Sequence, residues 1–155
     1  MLKVPKFTAY KPSSEQASRL KRKNRSSGGQ AERMLRRLLW RVGIRYRLHL
    51  ATLPGKPDMA ISRWQVAVFV DGDFWHGRDW DTRRIRISQG SNASYWINKI
   101  EYNMERDREN SRLLNEMGWT VIRFWETEVL ADPDASVSRI LRILNDQHAG
   151  KTDSR

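Results

Sequence analysis

The sequence predicts an α/β fold in which a small mixed β-sheet is flanked by helices. Three observations carry this. Residues 66–70 form an apolar, β-branched run that reads as a buried strand; residues 30–42 and 93–117 place apolar side chains at helical spacing; and residues 119–125 make a second strand-like run directly after the long helix. A chain of 155 residues is long enough for one domain with its own core, and no internal repeat is visible.

Taken in order, residues 1–29 are rich in Lys, Arg, Ser and Gly, lack periodicity and end in Ser26-Ser27-Gly28-Gly29, so a flexible basic arm is expected. A domain over residues 30–147 follows. Its first helix carries Met34, Leu35, Leu38, Leu39 and Val42 on one side and Arg33, Arg36, Arg37 and Arg41 on others, and Gly43 closes it. Those arginines fit a solvated helix face and fit phosphate contact equally. Residues 44–50 are expected to be extended. The Pro-Gly-Lys-Pro turn at 54–57 then delivers Asp58 to the start of a short strand over 58–61, and residues 62–65 connect it to the strand at 66–70.

Residues 77–92 are polar and Arg-rich and read as a loop. The long helix over 93–117 turns Trp96, Ile100, Met104 and Leu113 or Leu114 inward, with Gly118 as its C′ residue. A last amphipathic helix is expected over 134–145 through Val137, Ile140, Leu141 and Leu144, with a frayed end from Gln147 and a disordered tail over 148–155.

Charge points to a polyanionic partner. There are 29 Lys and Arg against 18 Asp and Glu, a net +11, with a pI near 10.5. Residues 1–47 hold 14 basic residues against Glu15 and Glu32, a net +12, so the remainder comes to −1. The bland counterpart is a basic tail that only aids solubility. No apolar run has membrane-spanning length and the first 25 residues are too polar for a secretory signal, so a soluble, intracellular protein with no membrane partner is expected. With no cysteine the chain has neither disulfides nor a thiolate zinc site, which by itself does not identify a compartment.

The chemistry concentrates on one predicted hairpin, which carries Asp58, Asp71, Asp73 and His76. Antiparallel pairing brings Asp58 back toward Val70 and Asp71. Magnesium takes one or two carboxylates plus phosphate oxygens and water, and a nearby imidazole moves protons near neutral pH, which suits phosphodiester hydrolysis. Of the three histidines this reading places only His76 near the carboxylates. The plain alternative is a turn at Asp71-Gly72-Asp73 capped by His76; the preceding Pro57-Asp58 and the adjoining Phe74-Trp75 favour the metal site. Phe74 and Trp75, and likewise Tyr95 and Trp96, fit either core packing or stacking on bases.

The runs Leu53-Pro54-Gly55-Lys56-Pro57-Asp58 and Val68-Phe69-Val70-Asp71-Gly72-Asp73-Phe74-Trp75-His76-Gly77 are followed by Tyr95-Trp96, Lys99-Ile100, Asn103, Arg106-Asp107, Gly118-Trp119 and Trp125-Glu126. In this order they resemble the very short patch repair (Vsr) mismatch endonucleases, over Glu32 to about Glu128. The resemblance implies a restriction-endonuclease-like core and a magnesium-dependent nick 5′ to the thymine of a T:G mismatch. It implies Asp58 as principal magnesium ligand, the Val70 carbonyl as second, His76 as proton-transfer residue and Glu32 as supporting carboxylate. Phe74, Trp75 and Trp96 correspond to the intercalating aromatics. Tyr95, Lys99, Asn103 and Arg106, with Lys21, Arg22, Lys23 and Arg25 of the arm, are then DNA contacts.

The chain departs from the family at two site positions. Asp71 stands where the repair enzymes carry a second histidine, so it is a candidate for a changed proton-transfer scheme or an added ligand. Asp73 stands where relatives often place a zinc-binding cysteine, and no zinc is expected. The implied partners are mismatched duplex DNA and mismatch-repair factors, in the bacterial cytoplasm at the nucleoid. Two other readings stay open: a Vsr-like nuclease of a restriction or phage-defence system without mismatch preference, and a catalytically inactive DNA-binding module.

Overall fold

β-Branched and aromatic residues in the middle of the chain build a four-stranded sheet, seen in a computed structural model that describes residues 29–152. The arm residues Lys21, Arg22, Lys23 and Arg25 lie outside the described residues. Strands β1 (Arg47–Leu48), β2 (Met59–Ile61), β3 (Val66–Asp71) and β4 (Thr120–Trp125) stand in that spatial order. The first three pair antiparallel and β3 pairs parallel with β4, which sets Phe69 beside Arg123 and Asp71 beside Trp125. The predicted mixed sheet and the 58–70 hairpin are both present.

Alternation along β3 and β4 divides the core in two. Val66, Val68, Ile122 and Phe124 face the helices α1 (Gln30–Arg41), α4 (Glu126–Ala131) and α5 (Pro133–Thr152), packing on Leu35, Leu39, Val129, Val137 and Ile140. Ala67 and Phe69 face the other way, onto Leu114 of α3 (Ala93–Glu116). The long helix ends as its sequence demands: Met117 is the C-cap, and Gly118 takes the left-handed conformation at φ +83° that a side chain resists.

Residues 77–92 are not a continuous loop, for Trp80–Ser88 forms a helix, α2, packed on α3 with Arg84 Nε 3.1 Å from Glu101 Oε1. None of its residues is buried and Ile85 is exposed, so it has no apolar stripe for periodicity to reveal. The six-residue α4 was likewise invisible, being shorter than two full turns. The last helix runs past Asn145 to Thr152, and Gln147 Nε2 donates to Thr120 Oγ1 at 2.5 Å, tying its later turns to β4.

Gly77 sits at φ +74°, and a methyl group there would overlap the Met104 sulfur of α3. Gly77→Ala combines backbone strain with overpacking beside His76. A loss of about 1–3 kcal/mol of stability is expected, read as a lowered Tm by circular dichroism.

Candidate active site

The sheet's open end, where β3 and β4 finish and β2 begins, gathers the ionisable groups. One cluster consists of Glu32, His49 and Asp58, whose ligating atoms lie within 4.8 Å of one another. Glu32, on the first turn of α1, is 5% exposed and pairs with Arg36 one turn on. His49, directly after β1, lies 3.4 Å from Glu32 Oε1 through Nε2 and 3.8 Å from Asp58 Oδ1 through Nδ1. The Val70 amide donates to Asp58 Oδ2 at 2.7 Å, as the predicted antiparallel return requires. Burial pushes the Asp58 carboxyl above its ordinary 3.8 despite that hydrogen bond and the nearby His49 and Arg36, and the Asp71 charge adds to the rise.

A divalent cation fits this set. A carboxyl desolvated beside a second buried carboxylate is held in an unfavourable ionised state that a cation relieves, and oxygen donors suit magnesium. The His49 nitrogen broadens the choice toward manganese.

The second cluster is Asp71, His76 and Asp107. Asp71 closes β3 on the α3 side of the sheet, 6% exposed, and Arg123 of β4 donates Nη1 to both its carboxylate oxygens at 3.0 and 2.9 Å. Arg123 is itself held by Ser111 Oγ at 3.1 Å and the Asp107 carbonyl at 3.2 Å. His76 Nδ1 is hydrogen-bonded to Asp107 Oδ2 and lies 3.6 Å from Asp71 Oδ1. Burial alone would lower the imidazole's affinity for a proton, but the Asp107 hydrogen bond and the charges of Asp71 and Asp107 outweigh it, so its pKa stands above 6.5. Burial would likewise raise Asp107, yet the hydrogen bond and charge of His76, with Arg123 and Arg106, hold it below the usual carboxylate range. A cavity of about 240 Å³ opens here, lined by Asp71, His76, Asp107 and Arg123 among others.

Asp73 joins neither cluster. Its carboxylate accepts from Arg78 Nη1 at 2.9 Å and from the hydroxyl of Thr127 at 2.6 Å and its amide at 3.3 Å, clasping the 72–78 turn to the start of α4. Burial would raise its pKa, but these Thr127 and Arg78 bonds bring it below the usual range. The four predicted aromatics do converge. Phe74, Trp75, Tyr95 and Trp96 form one cluster with ring centroids 5.1–5.6 Å apart, neither buried in the core nor fully exposed. Lys99 lies 5.5 Å from the Trp75 and Tyr95 rings, Asn103 Nδ2 donates to the Trp75 carbonyl at 3.0 Å, and Arg106 Nη2 reaches Asp107 at 3.4 Å.

Sequence reading expected one carboxylate centre, with His76 its only histidine. The structure divides it: Asp58 and Glu32 stand with His49, while Asp71 and His76 stand with Asp107. His49 was missed because its neighbours in Arg47-Leu48-His49-Leu50 announce only a short strand. Asp107 was visible within the Arg106-Asp107 motif without a role. Arg123, three residues after Thr120 in an apolar run, was the one available signal that something on the α3 face needs a charge.

A mixed sheet with α1 and α3 on opposite faces and carboxylates at the open end of a β-hairpin defines a restriction-endonuclease-like architecture. Residues 9–82 match the family described as DNA mismatch endonuclease Vsr. The type II nicking enzyme V.HpaIIP of Haemophilus parainfluenzae is 41% identical over 115 residues, 74% of this chain and 80% of that protein. V.NmeDIP, a type II nicking enzyme of Neisseria meningitidis serogroup C, is 38% identical over 133 residues, 86% and 88% of the two chains. The DNA mismatch endonuclease Vsr of Escherichia coli K12 is 34% identical over 95 residues, 61% and 59% of the two chains. The chain belongs to the Vsr family of endonucleases.

Proposed function

We propose that the protein nicks one strand of duplex DNA beside a T:G mismatch in a reaction that requires magnesium. The observation that carries the chemistry is the pairing of an acidic cluster, Glu32 and Asp58, with a carboxylate-held imidazole, His76, at one end of one sheet. A divalent ion held by Asp58 and the Val70 carbonyl, with Glu32 and His49 beside them, would neutralise charge on the scissile phosphate and acidify a water molecule.

The protein's own groups do the rest. His76 commits Nδ1 to Asp107, which fixes the ring and leaves Nε2 as the nitrogen that takes the proton from the attacking water. Asp107 stabilises the imidazolium so formed, in the manner of the carboxylate in a hydrolytic triad. Asp71, ion-paired with Arg123, serves this dyad rather than the metal, since both its oxygens are already engaged by the guanidinium. Phe74, Trp75 and Trp96 supply flat apolar surface that enters the stack where pairing is weak, with Tyr95, Lys99, Asn103 and Arg106 supporting them. The basic arm, including Lys21, Arg22, Lys23 and Arg25, adds contacts to phosphate.

A second reading draws on relatives whose names describe type II nicking enzymes. On that reading the same chemistry serves a restriction or defence system without mismatch preference. Nicking rates on duplexes that differ only by T:G against T:A decide between the two: a preference for T:G is expected, and equal rates would remove the mismatch assignment. Trp75→Ala should narrow the difference by raising KM on the mismatched duplex. A cytoplasmic site of action at the nucleoid, with mismatch-repair factors as partners, belongs to the repair reading.

A further inference from the structure

Outside the cleft, the outer face of α1 bounds a second hollow of about 560 Å³, lined by Arg33, Arg36, Arg37, Trp40, Arg41 and Tyr46. Among the described residues, no acidic side chain lines it. The inward stripe Ala31, Leu35 and Leu39 already buries the helix in the core, so this face is not needed for packing. Trp40 is nevertheless 54% exposed and is propped in place: the Arg45 guanidinium stacks 3.8 Å over its ring and donates to its carbonyl at 3.0 Å, and Tyr46 meets it edge-on at 6.1 Å. Tyr46 in turn donates its hydroxyl to the Arg36 carbonyl at 2.9 Å, and the buried Arg36 Nε has no hydrogen-bond partner among the described residues. Arg36 also pairs with Glu32 and lies 3.1 Å from His49, so the hollow is continuous with the acidic cluster.

We propose that this hollow is a second duplex contact, in which Arg37 and Arg41 hold backbone phosphates of the flank next to the cut and Trp40 packs against the sugar and base edge between them. The inference rests on the reading of the cleft as a nicking site. Guanidinium groups around a supported indole, with no acid among the described lining residues, match a phosphate backbone in charge and shape. An acidic protein surface would match the charge alone.

Distance along the helix gives the reach. From Glu32 to Arg41 the helix rises about 14 Å at 1.5 Å per residue, which is about four steps of a duplex at 3.4 Å each. One flank of the substrate should therefore need about four base pairs beyond the cleaved phosphate to fill the hollow.

The test compares the full chain with the triple variant Arg37→Gln, Trp40→Ala, Arg41→Gln on T:G duplexes trimmed from either end, by fluorescence anisotropy and single-turnover nicking. For the wild-type chain, affinity is expected to drop about tenfold or more when one flank falls below about four base pairs, and to be insensitive to trimming the other below that length. The variant should bind the long duplex as weakly as the wild type binds the trimmed one, lose no more on trimming, and show a salt slope shallower by about two. Its nicking rate at saturating DNA should be unchanged. Unaltered affinity of the variant for the long duplex, as a protein-binding face would give, overturns the proposal, as does an equal further loss on trimming in both proteins. If the nicking reading fails instead, the wild type cuts none of the duplexes whatever its affinity.

Discussion

Asp58→Asn is expected to reduce nicking about a thousand-fold, the equivalent of about 4 kcal/mol of lost charge stabilisation at the phosphate, while duplex affinity is retained. The aromatic cluster and the basic surfaces proposed to meet DNA do not include Asp58, so binding and chemistry should separate in this variant. A physical counterpart makes the role testable without turnover. Folding raises the Asp58 pKa above 3.8 by desolvating it, so the folded state binds that proton more tightly than the unfolded chain. By linkage this group's contribution to stability is complete below 3.8 and is lost as pH rises through the folded value.

At neutral pH without metal, the ionised Asp58 is therefore a liability that Asn removes, and Asn can still accept from the Val70 amide. The variant should melt at or above the wild-type Tm in chelator. Adding magnesium or manganese should raise the wild-type Tm by mass action and leave the variant's unmoved. A variant that is stabilised by metal as much as the wild type would mean that Asp58 is no ligand. Full nicking by the variant would place the chemistry elsewhere.

The second large effect concerns His76. His76→Ala removes the proposed general base and should lower the single-turnover rate about 10²–10⁴-fold. Because Asp107 and Asp71 hold the imidazole's pKa above 6.5, the neutral form that accepts a proton is scarce at acid pH. The rate should thus climb with pH through that raised value. Asp107→Asn removes the charge that sustains it, so the ascending limb should move to lower pH while the plateau falls. A limb that stays in place would show that Asp107 does not act through His76.

The same pair couples folding to pH with a definite sign. His76's raised value means that its stabilising contribution is fully present below 6.5 and is lost as pH rises through the folded pKa. Wild-type stability should decline over that interval more than that of Asp107→Asn.

How much of this was legible in the chain differs from element to element. The hairpin from Met59 to Asp71, the long helix closed by Gly118 and the strand at Thr120–Trp125 follow from apolar period and turn chemistry, and the return of Asp58 to Val70 follows from antiparallel pairing alone. The helix at Trp80–Ser88 was opaque because it buries no side chain and so leaves no stripe. The sequence also sufficed for the family, because Pro57-Asp58 and the Asp71 to Gly77 run keep both order and chemistry with the aromatics and the later motifs.

What the sequence determined by itself, then, is an α/β endonuclease whose acids, imidazole and aromatics cluster around one hairpin. Only the tertiary structure decided how they are shared. Adjacent residues of a strand point to opposite faces, so Asp71 turns to the α3 side, where Arg123, His76 and Asp107 meet it. Glu32 and His49 come to Asp58 from elements 26 and 9 residues earlier in the chain, across a packing contact that no local pattern encodes. The exposed Trp40 gained its meaning the same way, from an arginine and a tyrosine that the turn after α1 folds back upon it.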